Sequence, residues 1–191
     1  MDALKAFLQS VTALSLEDMA LLDKIAENMH IARRSCLLEP GQVCTTIYFV
    51  RRGQFRLYDL DSTGNQVNRR FTFEHQFAVD FQSFITQSPS RYYLQAMKDS
   101  EVTAIKQEKL QEAYERSKGW ERLGRLLAER AYLQVNEKLE LMQFHTPEER
   151  YGYILKTRPE LLERVSLAHL SSYLGIRPES LSRLRKRMVR K

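Results

Sequence analysis

The spacing of hydrophobic positions changes twice along the 191 residues. In LSLEDMALLDKIAENM, Leu16, Met19, Leu22, Ile25, Ala26 and Met29 recur at helical spacing behind Ser15, which predicts a short helix with Ser15 as N-cap. From about Ile31 to Ile105 the pattern becomes short runs of aromatic and β-branched residues: TTIYFV, QFRLYDL, NRRFTF, YYLQAM and EVTAI. Turn signals separate them at Pro40-Gly41, Arg52-Gly53, Ser62-Thr63-Gly64-Asn65 and Ser88-Pro89-Ser90. Such spacing predicts an antiparallel sandwich or roll.

From about Gln107 the helical period returns. In WERLGRLLAERAYLQVNEKLELMQ, Trp120, Leu123, Leu127, Ala131, Gln134 or Val135, Lys138 and Leu141 or Met142 trace a narrow stripe, which suits packing on the chain's own domain or against a second copy. A third helix, TPEERYGYILKTRPELLERV, opens with Thr146 as N-cap, Pro147 in the first turn and acids beside it, and Pro159 breaks or kinks it.

The last segment, VSLAHLSSYLGIRPESLSRLRKRM, predicts two helices joined at a tight turn. Ser166 caps the first, whose inward face is Leu167, Leu170 and Leu174; Gly175 supplies the positive φ of the turn, and Ile176 plugs the corner. Pro178 then starts a helix, because a first-turn residue has no intrahelical use for its N–H. At about 100° per residue, Leu181, Leu184 and Met188 share one side, and Glu179, Arg183, Lys186, Arg187 and Arg190 the other. Glu179, Ser180, Ser182 and Arg183 lie near the helix start, where side chains reach base edges in a major groove. Arg177, Lys186, Arg187 and Arg190 suit phosphates.

Charge sharpens this picture. Residues 164–191 carry eight Lys or Arg against the single acid Glu179, whereas residues 1–163 carry 22 bases and 23 acids. A basic module on a neutral body points to a polyanion, double-stranded DNA first; a module that binds polyanions non-specifically, or a protein partner, is the alternative. No apolar run is long enough to cross a bilayer, and the amphipathic N-terminus lacks a signal-peptide pattern, which predicts a cytoplasmic protein. Cys36 and Cys44 are too few for a disulfide framework or a cluster and read as strand-borne buried thiols. His30, His75, His145 and His169 show no ligand spacing, so no metal site is predicted. No phosphate loop, nucleophile elbow or paired-carboxylate pattern stands out, so no catalytic residue is assigned and an enzyme is not expected.

The order of parts, with YFVRRGQFRLY and LSSYLGIRPESLSRLRK, resembles the CRP/FNR family of bacterial transcription regulators. The resemblance implies an α+β fold: an antiparallel, jelly-roll-like β-roll over 1–117, a long dimerising helix over 118–143, and a small all-α helix-turn-helix domain over 144–191. It also implies base contacts for Glu179 and Arg183, a homodimer, and RNA polymerase as a further partner. Pro178 stands where some members carry another base-reading arginine, and little room remains between Pro159 and Ser166 for the family's wing hairpin. Members that bind cyclic nucleotides carry Gly-Glu and, some ten residues on, Arg-Ser/Thr-Ala; FAVDFQSFITQSPSRYYLQA has Val79, Asp80 and Ser90 at those places. Cyclic AMP is therefore not expected as effector, and no cofactor is expected. Asp80, Arg91 and Tyr92 are the candidate effector-binding residues, Arg91 standing in for the family arginine if the loop is one residue out of register.

Overall fold

A computed structural model describes the backbone of residues 1–189 and the side chains of residues 1–187. It divides into two compact units, Met1–Tyr58 with Phe71–Arg130 and Asp59–Arg70 with Ala131–Lys191.

The first unit opens with α1 (Asp2–Val11) and α2 (Leu16–Ile25). Ser15 caps α2 as expected, in a full capping box: its hydroxyl accepts from Asp18 N at 3.1 Å while the Asp18 carboxylate accepts from Ser15 N at 2.9 Å. The helix ends four residues earlier than the spacing predicts. Ala26 and Met29 belong instead to β1 (Ala26–Ile31), which pairs antiparallel with β8 (Ser100–Lys106), and Leu16 is 91% exposed. A ladder of backbone hydrogen bonds to β8 outweighs the weak helical preference of six residues.

The remaining strands are β2 (Cys36–Leu38), β3 (Thr46–Arg52), β4 (Phe55–Leu60), β5 (Gln66–Thr72), β6 (Phe77–Ala78) and β7 (Tyr93–Ala96), with a short helix α3 (Phe81–Thr86) between β6 and β7. They form two four-stranded sheets, ordered β1-β8-β3-β6 and β2-β7-β4-β5. Alternate residues of β4 and β7 (Phe55, Leu57, Leu94, Ala96) meet Phe49, Val50, Val102 and Ile105 of the other sheet in one core. The β3–β4 turn requires Gly53: its φ is +123°, and a Cβ there would lie 2.1 Å from Ser100 Oγ. Cys36 is half-buried on β2; Cys44 is buried in the segment before β3, not on a strand.

Two helices follow, α4 (Gln107–Arg116) and α5 (Lys118–Phe144). Trp120 and Leu123 are buried and close the core of the first unit, with Leu127 packed beside them. Trp120 Nε1 donates to Asp18 O at 3.1 Å, and Ser117 Oγ donates to the Asp18 carboxylate. Burial raises the Asp18 carboxyl, but hydrogen bonds from Ser117 and Ser15 outweigh it and hold the group below its ordinary value.

The second unit contains α6 (Pro147–Thr157), α7 (Glu160–Arg164), α8 (Leu167–Leu174) and α9 (Pro178–Val189). Thr146 caps α6 in a capping box, and Pro159 separates α6 from α7 as expected. Its buried residues include Leu141, Tyr151, Ile154, Leu161, Val165, Leu170, Leu174, Ile176, Leu181 and Leu184.

Candidate nucleic-acid interface

The helix pair α8–α9 is built as the residue pattern requires. Ser166 Oγ accepts from His169 N at 3.3 Å, which satisfies one of the free amides at the start of α8. At its end Gly175 takes φ +64°, and Ile176 N donates back to Ser171 O at 2.9 Å. A Cβ on Gly175 would stand 3.0 Å from Met142 Cε, so both conformation and space favour glycine. Ile176 is buried at the corner, and Leu181 N donates to Arg177 O at 2.9 Å as α9 starts.

Leu181 (0% exposed) and Leu184 (7%) face the core of the unit. Arg177, Glu179, Arg183, Lys186 and Arg187 are exposed, and Ser180 and Ser182 are half-buried. Arg183 Nη2 lies 3.4 Å from Ser180 Oγ, a long contact that leaves the guanidinium on the exposed side. Arg187, expected at a phosphate, donates to the Glu148 carboxylate of α6. Its charge is thus shared with an acid of the same unit. The side chain of Met188 and all of Arg190 lie outside the described residues. Among the described residues no strand forms between Pro159 and Ser166, where α7 sits instead, in keeping with the short spacing there.

Sequence reasoning missed how α8 is held. Lys138 of α5 donates from Nζ to Tyr173 O at 2.8 Å, with the Tyr173 ring 3.0 Å away. Arg150 of α6 donates to Leu174 O (3.1 Å), Met142 O (2.7 Å) and His145 O (2.9 Å). The β4–β5 hairpin, counted with this unit, adds Asn68: its N–H donates to Ser172 Oγ at 2.9 Å, and Ser172 Oγ donates to Gln66 O at 3.0 Å. The one visible signal was a lysine inside an otherwise apolar stripe. Burial, then the charges of Arg158, Arg69 and Arg150, bring the Lys138 amine down to about 6. The facing Tyr173 ring and the Tyr173 carbonyl at the end of α8 act the other way and favour the ammonium.

The candidate effector residues are brought together, but on one another. Asp80 is buried at the start of α3, and its Oδ2 accepts from Ser90 Oγ at 2.7 Å. Ser90 Oγ in turn accepts from Tyr92 N at 2.9 Å. The loop is stitched down by Ser90 N to Gln42 O and Gly41 N to Ser90 O, each 2.8 Å. Val79 is buried in the core, and Tyr92 packs against it half-buried. Arg91 is exposed, with its guanidinium 5.5 Å from the Tyr92 ring centre. The Asp80 and Ser90 side chains thus meet directly, and the serine hydroxyl brings no positive charge to neutralise a phosphate. Another cleft in this unit, lined by Leu37, Gln42, Cys44 and Tyr48 among others, holds about 190 Å³, below the few hundred Å³ of common small-molecule sites.

Comparison with known proteins fits this geometry. The cyclic nucleotide-binding domain family matches residues 28–117. No curated protein matches the chain in sequence. Among solved structures, FixK2 of Bradyrhizobium japonicum is similar at TM-score 0.71 and 19% identity, covering 86% of this chain and 84% of that one. The c-di-GMP-responsive global regulator CLP of Xanthomonas campestris is similar at TM-score 0.67 and 18% identity, covering 91% of each chain. A CRP/FNR-family protein of Eubacterium rectale is similar at TM-score 0.67 and 17% identity, covering 93% of this chain and 85% of that one. With a roll that matches the cyclic nucleotide-binding domain and a helix-turn-helix behind a long helix, the chain has the fold of the CRP/FNR transcription regulators.

Proposed function

We propose that the chain is a non-enzymatic, dimeric regulator that reads double-stranded DNA with α9 and does not use cyclic AMP as effector. The observation that carries the reading is the division of α9. Leu181 and Leu184 are buried while Arg177, Glu179, Arg183 and Lys186 stand exposed on a module with a surplus of positive charge. Glutamate accepts from cytosine and arginine binds guanine bidentately, so Glu179 and Arg183 carry specificity. Arg177 and Lys186 supply phosphate contacts; Arg187 joins them only by exchanging Glu148 for a phosphate.

Dimerisation is assigned to α5, but through an edge that shares only Val135 with the stripe read in sequence. Trp120, Leu123 and Leu141 are spent on the chain's own core. Tyr132 (69% exposed), Val135 (54%) and Leu139 (50%) are left open at three- and four-residue spacing, which is the seam of a two-stranded coiled coil. A second copy packed there gives two α9 helices and an inverted-repeat site with half-sites about 34 Å apart. The test is selection of duplexes from a random pool, repeated with Leu139→Glu. An inverted repeat with the natural chain, reduced to a single half-site by the variant, is the expected result; recovery of no sequence preference would remove the reading in favour of a non-specific polyanion binder.

The case against cyclic AMP rests on the Asp80–Ser90 contact and on Val79 in the core. A calorimetric titration is expected to give no saturable heat up to about 1 mM cyclic AMP. Micromolar binding would overturn this part of the proposal.

A further inference from the structure

A dimer that docks two helices on one inverted repeat needs a fixed relation between the surface joining its copies and the helix that reads DNA. Here both lie in one compact unit: the open edge of α5 (Tyr132, Val135, Leu139) and the pair α8–α9. Only His145 and Thr146 separate α5 from α6, and only Gly175, Ile176 and Arg177 separate α8 from α9. How α8 ends on α5 therefore decides how α9 is carried.

The last carbonyls of a helix find no partner within it. At the end of α8 the turn meets two of them, since Ile176 N donates to Ser171 O at 2.9 Å and Gly175 N to Ser172 O at 3.3 Å. The next two, Tyr173 O and Leu174 O, accept from side chains of other helices: Lys138 of α5 at 2.8 Å and Arg150 of α6 at 3.1 Å. Arg150 reaches further than Lys138. Its Nη2 also donates to Met142 O, in the last turn of α5, at 2.7 Å, and its Nε to His145 O, in the α5–α6 corner, at 2.9 Å. Three nitrogens of one side chain thus meet carbonyls of three segments. A guanidinium suits this place, because its donors are fixed in one plane and its charge complements the negative ends of both helices. The glycine turn lies against it: a Cβ on Gly175 would stand 3.5 Å from Arg150 Nη1.

We propose that Arg150 is a positioning residue that sets the distance between half-sites: its guanidinium ties the end of α8 to the end of α5, and so fixes the direction of α9 from the dimer helix. Its effect on spacing rests on the regulator reading above; the tie itself does not. Each added base pair turns a half-site by about 35° and moves it by about 3.4 Å, so a rigidly carried α9 accepts one spacing and a loosely carried one several. A lysine at this position keeps the charge but gathers its donors on one nitrogen and loses the fork.

The experiment measures binding of the full chain to inverted repeats of the selected half-site, their centre-to-centre distance varied one base pair at a time, with a duplex bearing one half-site as reference. The natural chain should prefer one spacing over its neighbours by about 30-fold or more. Arg150→Lys should bind the single half-site as the natural chain does, lose roughly 10-fold at the preferred spacing, and discriminate among neighbouring spacings by only about threefold, since the second α9 must then be ordered on binding. Spacing discrimination kept in full by Arg150→Lys overturns the proposal. So does a natural chain that accepts all spacings alike, or an equal loss by the variant on the single half-site and the repeat, which marks damage to the reading helix itself. Arg150→Gln takes its place if Arg150→Lys does not fold, with the same outcomes. A natural chain that selects no sequence removes the regulator reading, and the tie is then read without DNA, at the Gly175 and Ile176 amides that bond back to α8. Hydrogen exchange there roughly 10-fold faster in the variant supports the tie, and unchanged exchange ends it.

Discussion

Replacing Arg183 with alanine is expected to weaken binding of the selected duplex about 10- to 100-fold and to relax preference at one base pair in each half-site. The estimate is that of a single bidentate arginine–guanine contact, about 1–3 kcal/mol. Arg183 is exposed one helical turn beyond Glu179, and its neighbours Leu181 and Leu184 are buried, so truncating it removes the proposed base contact without touching the core. The contrast with Lys186→Ala makes the measurement specific. A phosphate contact carries no sequence information, so that variant should weaken all duplexes alike and reduce the slope of log K against log salt by about one. Competition binding against single-base variants of the selected site, at several salt concentrations, separates the two. If Arg183→Ala instead weakened every duplex equally, base reading by this residue would be wrong.

Trp120→Ala should destabilise the first unit by about 3–5 kcal/mol, the range for truncating a buried aromatic residue. Trp120 is 1% exposed, and its indole N–H donates to Asp18 O, so alanine leaves both a cavity and a carbonyl without its donor. Asp18 also completes the capping box of α2 with Ser15 and accepts from Ser117, so the loss falls on the junction of α2, α4 and α5. At this chain length 1 kcal/mol moves a melting temperature by about 2–4 °C, so a fall of roughly 10 °C is expected. Trp120→Phe should recover most of the packing but not the hydrogen bond, leaving a deficit of about 1 kcal/mol. Urea unfolding followed by circular dichroism checks both variants, and equal stability of all three chains would show that the indole is not an anchor.

Much of the roll was legible because its strands obey local rules. TTIYFV, QFRLYDL and EVTAI concentrate β-branched and aromatic residues between glycine or proline turns, and they became β3, β4 and β8. Strand β1 was not legible: AENMHI carries the apolar spacing of the helix before it, and only pairing with β8 makes it a strand. Strand β2 and strand β6 are three and two residues long, too short for any period to register. The helix-turn-helix could be read almost residue by residue, since a cap, a left-handed glycine and a first-turn proline each act within a few bonds of themselves.

What the sequence alone determined is therefore local: where backbone can turn, which side of α9 is apolar, and where positive charge accumulates. These depend on neighbours within one or two helical turns. Tertiary structure decided the rest. It turned the Trp120–Leu123 end of the α5 stripe inward and left Tyr132, Val135 and Leu139 open; it set Asp80 against Ser90, ten residues away; and it brought Lys138 of α5 onto Tyr173 of α8. Burial and Coulombic interaction act through space, and a one-dimensional pattern does not record which side chains share a desolvated volume.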